Sequence, residues 1–389
     1  MTSPALTFQG YRRPDGRVGV RNHVLVLAPT GLTARAAARI ANLVYGTVCV
    51  VSGYGRGQIG ADARLQFDTL AGLAANPNIA ATLVVAAGAD ISQSYVDMLQ
   101  STGKRVAGLA LPEVREDAIA LVDAGVRIAA GMVRDASRLR RETFSLADLC
   151  IAMECGHSDT TSGLAANPLV GRVSERVVAA GGKAIFSETV EWTGAEHVLA
   201  RRAADIGLAA RIQRAVVDRE RLVRESGGNI RDQNPGPQNK AGGLTTIEEK
   251  ALGAIAKGGD QPISGLLKAA EAPPRAGLYL MDTPYFSPES VTAMVAAGAQ
   301  MVLFTTGAGN SYSSLVAPTV KVSANRSTFE RLPEQIDIDA SAILRGESTL
   351  DDMADEVLTS LVGIASGTLT FGEILGEGNE VVSRLGPSI

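Results

Sequence analysis

His23-Val-Leu-Val-Leu-Ala28 is a continuous apolar run, and it opens the pattern that decides the fold. Residues 33–44 follow with helical spacing, and Thr47-Val-Cys-Val-Val-Ser52 is a second apolar run of the same kind. Continuous β-branched runs that alternate with helices are typical of a parallel sheet covered on both faces. The sequence therefore predicts an α/β fold.

The same alternation continues towards the middle of the chain. Further strands are predicted at 81–87 and 105–111, and helices at about 61–75, 92–100 and 113–124. A charged stretch at 134–141 then indicates a domain junction. We therefore predict a Rossmann-like parallel-sheet domain over residues 1–140 and a second, larger α/β domain over residues 141–389.

The second domain shows its own series of strands and helices. Strands are predicted at 148–154, 183–187, 277–282 and 301–305, with a long helical segment at 196–225. Residues 226–243 are rich in Gly, Asn and Pro, and they are too many for a simple connection. We expect this stretch to be a functional loop or an interdomain link.

The composition excludes several classes of protein. A net charge of −4 and 4% aromatic residues provide neither a basic surface nor a stacking platform for nucleic acid. Three cysteines in 389 residues do not form a disulfide framework. No apolar run reaches the roughly 20 residues of a membrane span, and the N-terminus lacks a signal pattern. We expect a cytoplasmic protein without nucleic-acid or membrane partners.

Polar clusters follow directly after four of the predicted strands. They are Cys155-Gly-His157-Ser158-Asp159, Glu188-Thr-Val-Glu191, Asp282-Thr-Pro284 and Thr305-Thr306-Gly307-Ala-Gly309-Asn310. Ligands of open α/β sheets bind beyond the carboxyl ends of the strands, so these tips could converge on one pocket. The alternative is that the clusters are ordinary turns, which are polar in most proteins.

Cys155, His157 and Asp159 stand at alternate positions. Side chains two residues apart on an extended segment share a face, so two of these three could bind one metal ion. The alternative for Cys155 is a small buried apolar residue, which is our interpretation of Cys49 and Cys150.

Two acids and a lysine in other clusters are also candidates. Glu188 and Glu191 could bind a divalent cation or divide acid and base roles, or could be acids at a solvated helix start. Thr245-Thr-Ile-Glu248-Glu249-Lys250 contains a capping box, which alone explains the motif. A functional interpretation adds Lys250 as a proton donor or an anion contact.

The tip at residues 305–309 could bind an anion through backbone N–H groups, or could be a plain tight turn.

Gly55-Arg-Gly57-Gln-Ile-Gly60 fits the spacing of a dinucleotide fingerprint. That fingerprint requires an acid about 20 residues later at the end of the next strand, and residues 76–89 contain none. We therefore expect no nucleotide cofactor.

Long motifs in this chain resemble the altronate/galactarate dehydratase family. They are Arg12-Arg-Pro-Asp-Gly-Arg17-Val-Gly-Val-Arg21-Asn22, Cys155-Gly-His-Ser158-Asp159-Thr-Thr-Ser-Gly-Leu-Ala-Ala-Asn167-Pro168, Gly242-Gly-Leu-Thr-Thr-Ile-Glu-Glu-Lys250-Ala-Leu-Gly253, Met281-Asp-Thr-Pro284, Phe304-Thr-Thr-Gly307 and Ala365-Ser-Gly-Thr368. The matches keep the family's order along the chain.

The resemblance implies the large, catalytic subunit of a metal-dependent lyase that acts on carbohydrate acids. It implies Fe²⁺, with Mn²⁺ or Mg²⁺ as alternatives, and a separate small β-rich subunit in an oligomer. The expected reaction removes water from a small anionic 2-hydroxy acid to give a 2-keto-3-deoxy acid. The family also includes (R)-sulfolactate sulfo-lyase, so sulfite elimination to give pyruvate is the alternative. A non-catalytic assembly subunit is the second alternative.

On this resemblance we assign roles to residues as hypotheses. Catalysis is assigned to Cys155, His157, Asp159, Glu188, Glu191 and Lys250, and metal binding to Cys155, His157, Glu188 and Glu191. Substrate binding is assigned to Arg17, Arg21, Asn22, Ser158, Asp282, Thr305, Thr306 and Gly307.

The chain departs from the family pattern at two positions. Sugar-acid dehydratases often show a second Gly where His157 stands, and an Arg where Ala308 stands. The loss of that Arg argues against a long polyhydroxy substrate. The following residues, Asn310-Ser-Tyr312, could suit a shorter acid, which favours the sulfo-lyase alternative.

Overall fold

The computed structural model describes residues 6–386, so the ends of the two predicted domains, 1–5 and 387–389, lie outside the described residues. The strands are β1 (Thr7–Arg12), β2 (Val18–Gly19), β3 (His23–Ala28), β4 (Thr47–Val51), β5 (Ile79–Ala86), β6 (Arg105–Ala110), β7 (Glu142–Ser145), β8 (Cys150–Cys155), β9 (Lys183–Phe186), β10 (Ile263–Lys268), β11 (Gly277–Asp282), β12 (Met301–Thr305), β13 (Thr319–Ser323) and β14 (Ile338–Asp339).

The α-helices alternate with these strands over most of the chain. They are α1 (Ala34–Leu43), α2 (Gly60–Ala75), α3 (Ala89–Leu99), α4 (Ala118–Ala136), α5 (Asn167–Ala179), α6 (Glu196–Arg201), α7 (Ile206–Glu225), α8 (Ile230–Gln233), α9 (Pro237–Ala241), α10 (Ile247–Ile255), α11 (Ser287–Ala296), α12 (Arg326–Arg331), α13 (Ser341–Leu344), α14 (Leu350–Ala365) and α15 (Phe371–Leu375).

The first parallel sheet has four strands in the order β4-β3-β5-β6. Val24 and Val26 of β3 pack under α1 and α4 on one face. Leu25 and Leu27 of the same strand pack under α2 and α3 on the other face. Successive side chains of a strand point to opposite faces, so a continuous apolar run is what a sheet covered on both sides requires.

The second parallel sheet has seven strands in the order β10-β11-β9-β8-β12-β13-β14. Helices α5 and α14 cover one face of it, and α11 covers the other. The face under α11 shares one apolar core with the face of the first sheet that carries α2. Gly72 of α2 lies against the Ala296 carbonyl of α11, where a Cβ would come within 2.5 Å of the carbonyl oxygen. The missing side chain therefore lets the two helices approach closely.

These two parallel sheets confirm the predicted α/β class. The predicted helix at 113–124 was misplaced, because the Asp117 side chain caps a helix that begins at Ala118 and runs through to Ala136. The single helix predicted at 196–225 is wrong, because the chain breaks after Arg201 and Asp205 caps a new helix. The loop predicted at 226–243 contains the short helices α8 and α9.

A small antiparallel sheet, in the order β2-β1-β7, joins the start of the chain to residues just past the predicted domain junction. The division of the chain at residues 140 and 141 stays a prediction. Among residues 6–386, no helix has both the length and the apolar character that a membrane crossing needs.

Arg21 ties the N-terminal segment to the C-terminal helices. Its guanidinium forms two hydrogen bonds to the Glu373 carboxylate, at 2.6 and 2.8 Å, and also donates to the carbonyls of Ile364 and Thr368 at 2.8 Å. The Arg21 side chain is 6% exposed. The Arg21 guanidinium therefore stabilises the fold, whereas the sequence predicts that it contacts the substrate.

We therefore expect Arg21→Met to lower the free energy of unfolding by about 3–5 kcal/mol, because it leaves a mostly buried carboxylate and several carbonyls without a partner. Arg12→Met is the matched control, since Arg12 pairs with Glu142 on the surface and such pairs contribute about 1 kcal/mol or less. Urea unfolding measures both. Equal stability of the two variants, with a raised KM for Arg21→Met, would instead support the substrate-binding role.

Candidate active site

Four adjacent strands of the second sheet, in the order β11-β9-β8-β12, end at one edge. Because all of them are parallel, the polar tips that follow them lie at the same side of the molecule. A cavity of about 540 Å³ opens there, and the tips of β8 and β9 contribute to its lining together with the loops before α10 and α11. This is the edge at which ligands of open α/β sheets bind.

A buried carboxylate between two lysines forms the floor of the cavity. The Lys250 ammonium lies 3.1 Å from Glu191 Oε1, and the Lys257 ammonium lies 3.7 Å from Glu191 Oε2. The three side chains are between 1% and 4% exposed. Buried charges of this kind require their partners, because an unpaired ion at such a position is very unfavourable.

Cys155, the last residue of β8, completes this floor. Its Sγ donates to Glu191 Oε2 at 3.0 Å and accepts from the Lys257 ammonium at 3.0 Å. Burial, followed by the negative charge of Glu191, raises the pKa of the Cys155 thiol to about 12. Cys155 is therefore both a donor and an acceptor in this network.

The same contacts keep Glu191 ionised. Burial alone would raise the pKa of Glu191, but the Lys250 and Lys257 ammonium groups outweigh it and lower the pKa to about 2. Burial also opposes the charge on each lysine. The pKa of Lys250 is nevertheless raised by Glu191, and the pKa of Lys257 is raised by Cys155 and the nearby carboxyl groups.

Two further carboxyl groups lie beside this network, Glu154 in β8 and Glu188 after β9. Burial raises the pKa of both, and their mutual proximity contributes to raising that of Glu188. Ser290 donates a short hydrogen bond to Glu154, and Ser287 lies 3.4 Å from Glu188 Oε1. Among the described residues, no N–H or hydroxyl donor reaches the buried Glu188 Oε2, and the nearby Glu154 carboxyl group is close enough to share a proton with Glu188.

These groups fit a divalent cation. One ligand atom from each of Glu154, Cys155 and Glu188 lies within 4.8 Å of the other two. Glu188 Oε2 is the kind of acceptor that a cation would satisfy. This group differs from the predicted ligand set, since Glu154 belongs to it and His157 and Glu191 do not.

The backbone at two of these tips adopts an uncommon conformation. Glu188 has a φ of 65° and His157 a φ of 53°, in the left-handed region that residues with side chains rarely occupy. Such residues concentrate at functional sites, where the surrounding structure holds them in place.

Hydrogen bonds join the tip of β8 to the tip of β12. The His157 carbonyl accepts from the backbone N–H groups of Gly307 and Ala308, at 3.2 and 3.1 Å, and His157 Nδ1 lies 2.8 Å from the Gly309 carbonyl. A Cβ on Gly307 would come within 2.2 Å of the Asp159 side chain, so this position has no room for one. The Gly307 and Ala308 N–H groups are therefore used within the protein.

Lys250 reaches the floor from α10. Thr246 caps this helix by accepting from the Glu249 N–H at 3.1 Å, as the capping-box motif predicts. The Lys250 ammonium also donates to Asn234 Oδ1 at 2.7 Å and to the Tyr285 hydroxyl at 3.1 Å. The predicted cap is thus present, and the same segment places Lys250 at the cavity.

The structure brings some of the predicted site residues together and leaves others elsewhere. Those that line the cavity are Cys155, His157, Ser158, Glu188, Glu191 and Lys250. Those that do not line it are Asp159, Asp282, Thr305, Thr306, Gly307, Arg17, Arg21 and Asn22.

The second group has structural contacts instead. Asp159 caps the turn at Ser162 and accepts from Asn325. Asp282 accepts from Thr189 and Arg219, Thr305 donates to Asn167, and the Thr306 hydroxyl accepts from Gly309. Arg17 pairs with Asp15, and Asn22 bonds to Arg13. The roles in substrate binding and catalysis assigned to these residues gain no support from their placement.

Sequence reasoning missed Glu154 and Lys257. Glu154 stands inside an otherwise apolar strand, and an acid at such a position is a signal in itself. Lys257 follows Lys250 by seven residues, which is two helical turns, so both lysines project from one side of α10 and the short turn after it.

Glu191→Gln tests the ion pairs of Glu191 with Lys250 and Lys257. We expect it to lower the free energy of unfolding by about 3–5 kcal/mol, because it leaves two buried ammonium groups without a counter-charge. Glu248→Gln is the matched control: Glu248 pairs with Arg231 on the surface, and its loss is expected to leave the free energy of unfolding almost unchanged. Urea unfolding at pH 7 measures both, and an unchanged midpoint for Glu191→Gln would contradict the arrangement.

The stability difference between the wild type and Glu191→Gln should also depend on pH. The lowered pKa of Glu191, about 2 against an ordinary 4.5, gives stability that is fully present above pH 4.5 and is lost as the pH falls towards 2. The difference in stability between the wild type and Glu191→Gln should therefore be constant from pH 7 to about pH 5 and should shrink between about pH 5 and pH 3. A difference that stays constant or grows over the lower range would show that Glu191 is not held ionised by the lysines.

Comparisons with known proteins identify the family of the chain. Residues 146–388 match the family described as D-galactarate/Altronate dehydratase, C-terminal, and residues 10–137 match the second domain of D-galactarate dehydratase/Altronate hydrolase. The chain is 40% identical to the (2R)-sulfolactate sulfo-lyase subunit beta of Chromohalobacter salexigens. The alignment spans 382 residues and covers 97% of each chain.

Altronate dehydratases are also similar. The chain is 32% identical to the altronate dehydratase of Bacillus subtilis, over 93% of this chain and 74% of the relative. It is 30% identical to the altronate dehydratase of Escherichia coli, over 94% of this chain and 75% of the relative. Dehydratases and sulfo-lyases both break a bond by elimination, so both are lyases. The chain therefore belongs to the D-galactarate/altronate dehydratase family and is a lyase.

Proposed function

We propose that this chain is the catalytic subunit of a sulfo-lyase that eliminates sulfite from (2R)-sulfolactate and leaves pyruvate. The observation that carries this proposal is the 40% identity to a sulfolactate sulfo-lyase subunit over 97% of both chains. The altronate dehydratases, by contrast, are matched over about three quarters of their own length. The small side chain of Ala308 and the presence of His157 add support for a short substrate.

The reaction sets requirements that the floor of the cavity meets. A base takes the proton on C2, the C3–S bond breaks with its electron pair going to sulfite, and the resulting enol gains a proton at C3 and loses its hydroxyl proton to become pyruvate. Negative charge develops on the substrate's carboxylate while the proton leaves C2. The ammonium groups of Lys250 and Lys257 place positive charge below the cavity, in a buried setting where it acts strongly.

A divalent ion, Fe²⁺ as the family resemblance implies, would be held by Glu154, Cys155 and Glu188. When bound, such an ion supplies a Lewis acid that stabilises the developing enediolate charge. The relative that is named a subunit beta works with a partner, and we propose that this chain likewise acts with a separate small subunit in an oligomer.

Dehydration of a sugar acid is the second candidate function. It is favoured by the match to altronate dehydratases over more than nine tenths of this chain. The two functions share the step at C2 and differ in the group that leaves C3.

Product analysis separates the candidates. The chain is incubated with and without its small subunit, with Fe²⁺ or Mn²⁺, and with (2R)-sulfolactate, altronate or galactarate. We expect equal amounts of sulfite and pyruvate from sulfolactate, and Glu191→Gln to lower that rate at least 100-fold in protein that remains folded. A 2-keto-3-deoxy acid from altronate or galactarate, without sulfite from sulfolactate, would establish the second candidate instead.

The proposed cation site has a readout that does not depend on activity. We expect 1 mM Mn²⁺ to raise the melting temperature of the wild type and of the surface control Glu248→Gln, but not that of Glu188→Gln, which loses a carboxylate of the proposed site. Calorimetry or dye-based melting measures the shift. An equal shift in all three proteins would place the ion elsewhere.

A further inference from the structure

Tyr285 lines the cavity beside the buried floor, and its hydroxyl lies 3.1 Å from the Lys250 ammonium. The residue is 38% exposed, whereas Cys155 and Glu188 are each 2% exposed. A small acid that approaches the floor of the cavity therefore comes within reach of the Tyr285 hydroxyl as well.

The Lys250 ammonium has no proton left for a ligand. An ammonium group has three N–H donors. Lys250 directs them to three acceptors, Glu191 Oε1 at 3.1 Å, Asn234 Oδ1 at 2.7 Å and the Tyr285 hydroxyl oxygen at 3.1 Å. A direct hydrogen bond from Lys250 to substrate would require the loss of one of these contacts.

The Tyr285 hydroxyl, in contrast, still has a proton that it can donate to a ligand. Its oxygen accepts from Lys250, and in the described part of the chain its own proton has no protein acceptor. A hydroxyl that accepts from a cation becomes a better donor, because hydrogen bonds in a chain polarise one another. The Lys250 ammonium also lies 4.8 Å from the centre of the Tyr285 ring, which holds the ring in place.

We propose that Tyr285 contacts the anionic group on C3 of the substrate, donating a hydrogen bond to it from the hydroxyl that Lys250 holds. Tyr285 is then the residue that selects a second anionic group, a sulfonate in the function proposed above, and Lys250 is the residue that positions it. The inference rests on that proposed function for the identity of the group.

Tyr285→Phe removes the hydroxyl and keeps the ring over Lys250, at a partly exposed position where the change does not disturb the core. Tyr45→Phe is the matched control, since Tyr45 is 98% exposed. The probes are 3-sulfopropanoate, which lacks the 2-hydroxyl, and propanoate, which lacks the sulfonate as well. Isothermal titration calorimetry measures their binding to the complete enzyme.

We expect Tyr285→Phe to weaken binding of 3-sulfopropanoate about 10- to 100-fold, as the loss of a hydrogen bond to a charged group does. Binding of propanoate should change less than twofold, and Tyr45→Phe should match the wild type with both probes. A change of less than twofold for 3-sulfopropanoate, or an equal loss for both probes, would overturn the proposal. So would a wild type that binds neither probe.

Sulfite release from (2R)-sulfolactate by the wild type distinguishes this inference from the proposed function. If the wild type releases no sulfite but Tyr285→Phe shows the expected selective loss of binding, the function is wrong and the anion contact stands. If the wild type releases sulfite and Tyr285→Phe binds and turns over as the wild type does, the function stands and the role of Tyr285 is wrong.

Discussion

The ion pairs of Glu191 with Lys250 and Lys257 are the constraint on which the site depends. Glu191 lies in the turn after β9, Lys250 in α10, and Lys257 in the short turn that follows α10. The three charges are buried together, and each would be strongly unfavourable alone. The turn, the helix and the end of β8 that carries Cys155 must therefore be in place at the same time, which fixes the floor of the cavity.

The parallel sheet explains why these segments meet. Strands β8, β9, β11 and β12 are neighbours and end at one edge, so residues far apart in sequence are brought to one cavity. The tips also support one another, because the His157 carbonyl accepts two backbone N–H groups from the tip of β12. The cavity is large enough for a small molecule and is bounded on one side by buried charged groups.

The sequence was sufficient for the fold class, for most of the buried strands, and for Cys155, Glu188, Glu191 and Lys250 as residues that line one cavity. Apolar runs and the clusters after them carry that information directly. Arg21 shows the limit of this reasoning, because a motif residue that holds the fold together looks the same in sequence as one that binds substrate. Its partner Glu373 lies more than 350 residues away, and only the folded chain brings the two together.

Glu154 and Lys257 were missed for a related reason. Each stands in a segment that periodicity explains as structure, a strand and a helix end, and their charges become functional only through contacts with Cys155 and Glu191. Tyr285 gives no periodic signal, since it lies in the turn between β11 and α11, and only its contact with Lys250 marks it.

The central claim is that the reaction takes place on the floor formed by Cys155, Glu191 and the two lysines. A crystal structure with Mn²⁺ and 3-sulfopropanoate tests it most directly. We expect an anomalous peak for manganese between Glu154, Cys155 and Glu188, and the ligand above it with its sulfonate within hydrogen-bond distance of the Tyr285 hydroxyl. Ligand and metal density at another cavity, with this floor unchanged, would contradict the account.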